Sequence, residues 1–445
     1  MDISADKAKL SECIEMALQK ARALGASQAE VAASSDEGLI ASVRKGDVET
    51  VEFTKNHGFA ITVYRGKAKG SSGTTDLTPD AVATAVAAAW DIAQHTSEDA
   101  CAGLAEADQM ATDFPDLDLD HPWDIDPAAA IQLALACESA GMAQQGITNS
   151  EGATVSTGRG VRVYGNSHGF RHGSIGTQHG LSCALIAGQG EHMQRDYWST
   201  RHRVPTMLQA AEAVGEEAAR RTLGRLDPRR IPTGNFPVVF AAPLAGGIIG
   251  HLLSAISGGN LYRKSSFLLD KLDEVVAAPL LSVYELPRLL QGPASAVCDG
   301  DGLPTREKHF VRDGVLCSYM LGTYSARRLG MASTANVGGA RNVRVDNTGD
   351  DFASLLRAMG AGLVVTELMG QGVNLVNGDY SRGASGFWVE HGEIQHPVQE
   401  VTVAGNLADL YQHIVAIGTD TDTRGNIQSG SLLVDGLTVA GKGQG

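Results

Sequence analysis

The sequence predicts an α+β protein built on antiparallel sheets. Three observations carry this. In the first half, segments with helical and strand periodicity follow the order helix, strands, helix, and that order recurs once. Beyond residue 290 the chain reads mainly as β, with Asp313-Gly314, Asn377-Gly378, His391-Gly392 and Asp435-Gly436 as turn dipeptides beside apolar runs. The 53 glycines against 14 prolines in 445 residues favour tight turns over stiff linkers.

Residues 1–95 form the first α+β domain. Leu10, Cys13, Ile14, Ala17, Leu18 and Ala21 recur at helical spacing, and Gly25 ends the helix. Strands 39–43 and 48–53 flank Lys45-Gly46-Asp47, a hairpin signal, and 59–64 reads as a third strand. Thr78-Pro79-Asp80 opens a helix running to about Ala93, with Thr78 as N-cap and Pro79 in the first turn.

An acidic connector spans 96–126. Residues 96–127 hold ten Asp and Glu and no Lys or Arg. A calcium loop starting at Asp116 would need Gly and Glu at its sixth and twelfth positions, where His121 and Pro127 stand. The segment is therefore expected to be a solvated linker.

A central α+β domain, 127–228, opens on a second Asp-Pro pair, Asp126-Pro127. Its helix carries Ile131, Leu133, Leu135, Ala136 and Cys137. Strands follow around 161–164 and 181–186, then a helix from about Pro205 to Leu223. His57-Gly58-Phe59-Ala60-Ile61 and His179-Gly180-Leu181-Ser182-Cys183 look alike, and each precedes a helix opened by Pro, a weak sign of internal duplication. A boundary falls at Leu226-Asp227-Pro228-Arg229-Arg230. The β-rich C-terminal domain, 229–445, begins with a strand near 238–241 that runs into a helix striped by Leu244, Ile248, Leu252 and Ile256. Short helices are expected at 351–359 and 407–411.

Composition narrows the function classes. A net charge of -15 argues against non-specific nucleic-acid binding, which needs Lys and Arg to neutralise phosphates. The six cysteines are scattered with no C-x-x-C pair, which excludes a zinc ribbon and a disulfide framework. Charges throughout the first twenty residues leave no room for a signal peptide, and no apolar run reaches membrane-spanning length. A cytoplasmic protein without membrane contact is expected.

Several motifs fail on context. Gly436 to Lys442 matches G-x-x-x-x-G-K, but Gly443 follows in place of Ser or Thr. Gly165-Asn166-Ser167-His168-Gly169 matches G-x-S-x-G after a strand, but Phe170-Arg171-His172-Gly173 cannot continue as the helix a nucleophile elbow requires. His168 and His172, and likewise His391 and His396, read as loop or strand histidines. H-E-x-x-H is absent.

Several segments together resemble the TldD/TldE metalloprotease family, on its TldE (PmbA) branch. They are Val51-Glu52-Phe53 with His57-Gly58-Phe59-Ala60; Phe236-Pro237-Val238-Val239-Phe240 leading into Gly246-Gly247-Ile248-Ile249-Gly250-His251; the run from Gly372 to Phe387; and Thr423-Arg424-Gly425-Asn426-Ile427. The resemblance implies that the family's catalytic member carries H-E-x-x-x-H on a helix and a C-terminal Cys as third zinc ligand. The matching positions here are Gly246, Gly247 and His251, and no Cys follows Cys317. Catalytic zinc normally takes three protein ligands, so one imidazole cannot hold it, and the base is missing too. On an ideal helix residues i and i+5 lie about 140° apart, so the full motif needs a distorted helix, and the glycines here could preserve that irregular backbone.

The expectation is a non-catalytic subunit, without zinc or catalytic residues of its own. A TldD-like partner would carry the zinc, and the pair would cleave flexible or unfolded peptides, including peptide precursors and antitoxins. Peptide would add to a sheet edge, with His251, Arg382, Gly383, Ser385 and Phe387 as candidate cleft residues. Two alternatives stay open: a homodimeric peptidase acting alone, and a non-enzymatic binding protein, as the family's label "modulator of gyrase" implies.

Overall fold

The computed structural model describes residues 3–441, so the end of the G-x-x-x-x-G-K match lies outside the described residues. Helix α1 (Ile3–Leu24) buries Leu10, Ile14, Ala17 and Ala21 on one stripe. Strands β1 (Gln28–Arg44) and β2 (Asp47–Arg65) are joined at Lys45 and Gly46, with φ of 56° and 80°. Two successive positive φ values are what the tight hairpin turn demands. The two strands expected at 48–53 and 59–64 are one continuous strand. β3 (Ala68–Thr74) and α2 (Pro79–His95) complete the first unit; Thr78 sits at the N-cap, but its side chain makes no capping bond.

The second unit repeats the plan. α3 (Pro127–Met142) is capped by Asp126, whose carboxylate accepts from the Ala129 N–H at 2.7 Å. β4 (Ile147–Asn166), β5 (Arg171–Ala187) and β6 (Gln194–His202) follow, then α4 (Ala211–Leu223). Pro205 opens only a single 3-10 turn, not the expected helix start. The G-x-S-x-G match is the β4–β5 hairpin turn, with Gly169 at φ 86°.

The six strands make one antiparallel sheet in the order β3-β2-β1-β4-β5-β6. β1 and β4 pair from Glu30↔Asn166 to Val43↔Ala153, so both units share this sheet. The look-alike segments 57–61 and 179–183 occupy equivalent strands, β2 and β5, and Phe59 and Leu181 are both buried. α1 and α2 cover Ala29, Val31 and Ala33 of β1, and α3 and α4 cover Leu39, Ala41 and Val43. All are odd-numbered, so the four helices lie on one sheet face.

The connector keeps most of its acidic side chains exposed, but it is also packed against the fold along part of its length. Arg327 donates to the carbonyls of Gly103 (2.9 Å) and Leu104 (2.7 Å) and to the Glu106 carboxylate (3.1 Å). Arg288 pairs with Asp113 at 2.9 Å, Arg159 with Asp120, and the Tyr324 hydroxyl donates to Asp99 at 2.6 Å. Leu104, Ala105, Ala111 and Leu117 are buried beneath these bonds. Three of its ten acidic residues, Glu106, Asp113 and Asp120, pair with arginines of the central and C-terminal units, partners which the local sequence does not display.

The C-terminal unit runs β7 (Gly234–Phe240), α5 (Ala242–Ala255), α6 (Gly258–Tyr262), β8 (Val283–Glu285), β9 (Lys308–Arg312), β10 (Val315–Leu316), α7 (Thr323–Leu329), β11 (Val343–Val345) and α8 (Phe352–Met359). It continues with β12 (Gly362–Met369), β13 (Asp379–Glu390), β14 (Glu393–Asn406), α9 (Leu407–Gln412), β15 (Ile414–Ile417), β16 (Ile427–Gln428) and β17 (Leu432–Ala440). The main sheet has the order β14-β13-β12-β7-β17-β15. Pairing of Thr402 with Ala440 joins β14 to β17 and closes five of these strands on themselves. β7 and β12 run parallel; the other pairs in this sheet are antiparallel. Asp435-Gly436 is not a hairpin turn: Gly436, at φ 75°, sits at an irregularity inside β17.

Candidate functional site

Gly246, Gly247 and His251, where the family resemblance implies the metal motif, lie on α5. This is a regular α-helix from Ala242 to Ala255, so its glycines do not preserve the irregular backbone they would permit. Ile248, Leu252 and Ile256 are fully buried, and the Tyr411 hydroxyl donates to the Ile248 carbonyl at 2.8 Å. The three glycines differ in their surroundings. A Cβ at Gly246 would lie 2.9 Å from the Ile427 carbonyl oxygen, and one at Gly250 would touch the Ile427 side chain at 3.7 Å. Gly247 faces open space.

Ile427 is pressed against the helix by its neighbours. β16 pairs with β11 through Val343↔Ile427. Upstream, the Arg424 guanidinium forms a two-bonded pair with Asp422 (2.9 and 2.7 Å) and lies over the Trp198 ring at 3.9 Å. The segment 423–427 is thus pinned between the N-terminal sheet and α5, and it fills the space a side chain at 246 would need.

His251 is half-buried, and its Nε2 has no hydrogen-bond partner. Its ring meets Tyr380 edge-on, with centroids 6.1 Å apart. Burial first, and then the Arg382 charge, hold the imidazole below its ordinary range. Tyr380 is 1% exposed; burial pushes its phenol up to about 12, against the pull of Arg382. The Arg382 guanidinium is close enough to bias Tyr380, but neither the hydroxyl nor Arg382 Nε makes a well-formed hydrogen bond. Its one hydrogen bond runs from Nη2 to the Leu368 carbonyl at 3.4 Å.

These residues do not fit the family's zinc. One imidazole is available, position 246 is closed by backbone, and the nearest charged group is a guanidinium, which repels a metal cation. Among the described residues no group of three His, Cys, Asp or Glu is arranged to hold a metal.

The proposed cleft residues divide between two faces. β13 is hydrogen-bonded on both sides, to β12 and to β14, so it offers no edge to a peptide. Tyr380 and Arg382 point to the α5 side, where His251 lies. Phe387 points to the opposite side and packs with Leu355, Leu356 and Met359. Ser385 is buried, and Gly383 lies against Met369. Of the sequence-derived candidates only His251 and Arg382 come together. Tyr380 was missed as a member of this group, although it stands two residues before Arg382 and therefore on the same strand face.

A cavity of about 1370 Å³ lies elsewhere, between the N-terminal sheet with Lys7 and Ser11 of α1, the connector and residues 295–300 with Arg341. Neither His251 nor residues 382–387 line it. His172 on its wall stacks on Phe114 at 4.6 Å. Asp299, also on the wall, accepts from the N–H groups of Asp301, Leu303 and Val337. Burial, then the Asp301 charge, still push its carboxyl up to about 6. The sequence singles out Asp116 and His172 on this wall, as a failed calcium loop and a loop or strand histidine, but nothing in it marks a cavity.

Three family models match in series: the PmbA/TldA metallopeptidase domain 1 at 29–93, the central domain at 120–226 and the C-terminal domain at 233–441. Metalloprotease PmbA of Escherichia coli O157:H7 is 48% identical over 442 residues, covering 99% of this chain and 98% of that protein. The PmbA homolog of Haemophilus influenzae is 45% identical over the same length, covering 99% and 98%. A TldD homolog of H. influenzae is 26% identical over 226 residues, 48% of this chain and 46% of that one. Among solved structures, a putative modulator of DNA gyrase from Bacteroides thetaiotaomicron shares the fold with TM-score 0.92 at 24% identity, covering 97% and 99%. TldE from Thermococcus kodakarensis does so with TM-score 0.84 at 19% identity, covering 96% and 100%. No helix among the described residues is long and apolar enough to cross a membrane. With three matched domains in order and nearly half of all residues shared with a PmbA protein end to end, the chain belongs to the PmbA/TldD family of metallopeptidases.

Proposed function

We propose that this chain is the non-catalytic subunit of a two-chain metallopeptidase whose zinc is held by a TldD-like partner. One observation carries the reading. At the helix where the family places its metal, a single imidazole remains, and the place of the first ligand is closed by the Ile427 carbonyl, 2.9 Å from a Cβ at 246. A chain that has lost ligand, base and space together cannot regain metal chemistry by a small shift of side chains. Its value to the pair lies in contacts: it completes a cleft or stabilises the partner. The substrates are peptides in flexible or unfolded form, which reach a shielded site more easily than folded domains do.

Elemental analysis of the purified chain after a mild chelator wash tests this. The expected zinc content is far below one per chain. Near-stoichiometric zinc that disappears in His251→Ala would overturn the reading. A subunit kept for its contacts should form a lasting complex with a TldD-like protein, burying more than about 2,000 Å².

A further inference from the structure

Three polar side-chain atoms without a well-formed hydrogen bond belong to neighbouring residues at the degenerate metal motif: the His251 and Tyr380 rings lie 6.1 Å apart, and the Arg382 charge bears on both. The atoms are His251 Nε2, the Tyr380 hydroxyl and Arg382 Nε, all closed off from solvent. They come from two elements, α5 and β13, and Tyr380 is 1% exposed. Buried polar groups are nearly always paired, so three orphans in one place call for a common partner. Guanidinium Nε–H donates only, and the neutral phenol, which can donate or accept, has its proton to give. Neutral imidazole donates from Nε2 in one tautomer. The group carries the positive charge of Arg382, which forms no ion pair among the described residues. Donors, positive charge and no resident acid define an anion site.

We propose that His251, Tyr380 and Arg382 form a carboxylate-binding site that receives the C-terminal carboxylate of a peptide. Two carboxylate oxygens offer about four acceptor positions, enough for all three donors, and hydrogen bonds to an ionised partner are the strong kind. His251 and Arg382 are only half-buried, so these two residues reach the surface although the three orphaned atoms themselves are covered. The peptide identity of the ligand rests on the peptidase-subunit reading, in which every substrate and every product of cleavage ends in a free carboxylate. The anion site itself rests on the three orphaned atoms.

Isothermal titration of the purified chain tests this with acetyl-triglycine, its amide, and acetyl-Gly-Glu-Gly-amide. The free acid should bind about tenfold tighter than either amide. Tyr380→Phe, which removes one oxygen and leaves the packing intact, should weaken the free acid by roughly threefold, and Arg382→Gln should abolish the preference. The proposal is overturned if the wild-type chain does not distinguish acid from amide, including if it binds neither. It is also overturned if the internal Glu serves as well as the terminus, or if the preference survives in both variants. These titrations use this chain alone, so their failure leaves the subunit reading untouched, and that reading is decided separately by the activity of the two-chain mixture.

Discussion

The backbone carbonyl of Ile427 stands 2.9 Å from where a Cβ at Gly246 would be placed, a contact between residues 181 positions apart in sequence. The next helix position, Gly247, has no neighbour in the same test. Two adjacent glycines in one helix therefore have different reasons to be there, and substitution separates them.

Gly246→Ala must push β16 or α5 aside and should cost about 1–3 kcal/mol. Gly247→Ala meets only solvent and should stabilise the helix by about 0.5–1 kcal/mol, because alanine loses less conformational freedom on folding. Denaturant midpoints of the two variants should move in opposite directions. For the same reason Gly246→His with Gly247→Glu should destabilise the chain without creating a tight zinc site.

On β13 the analogous pair is Gly383 and Gly386. A Cβ at Gly386 would fall 1.8 Å from the Val364 carbonyl, at a register irregularity of the β12–β13 pairing, whereas at Gly383 the nearest atom is Met369 Cβ at 3.4 Å. Gly386→Ala should cost about 3 kcal/mol or more, and Gly383→Ala far less. Both effects belong to folding, so thermal unfolding should register them on this chain without any partner.

Arg327 holds the connector from 223 residues away. Arg327→Ala removes its bonds to Gly103, Leu104 and Glu106 and leaves two backbone carbonyls short of a donor. A loss of about 2 kcal/mol is expected, moderated because the side chain is partly solvated. Limited proteolysis should show new cuts within 96–126. Unchanged resistance there would mean that the buried Leu104 and Leu117 suffice to hold the segment.

The Asp299 carboxyl has a folded value of about 6 against an ordinary 3.8, so between these values the folded chain keeps a proton that the unfolded chain releases. This group's stabilisation is complete below 3.8 and is lost as pH rises through 6. Asp299→Asn cannot ionise. Its stability relative to the wild type should therefore improve by about 1–2 kcal/mol between pH 5 and pH 8. An improvement toward acid pH would give the opposite sign and reject the assignment.

The sequence makes local order readable and leaves long-range contacts dark. Asp126 caps α3, Lys45-Gly46 turns the first hairpin and Ile248, Leu252 and Ile256 face inward, because each depends on residues a few positions away. The unity of β2 was missed because its exposed residues 47–56 carry no alternation to bridge Phe53 and Phe59. The connector's charges were plain, but Arg288 and Arg327 are supplied by a distant part of the fold. At the candidate site, glycine at positions 246 and 247, where the family resemblance implies a ligand and a base, was legible from identity alone. That the Ile427 carbonyl closes position 246, and that β13 lies inside a closed sheet, depends on pairings across the chain that no local pattern encodes.

The proposed subunit contributes contacts and not chemistry. The most direct test is a peptidase assay on an unfolded peptide with this chain, its TldD-like paralogue, and the two co-expressed. The account predicts a 1:1 complex on size exclusion that cleaves the peptide, with neither chain active alone. If the paralogue by itself reaches the full rate of the mixture and no complex forms, or if this chain cleaves alone, the account is contradicted.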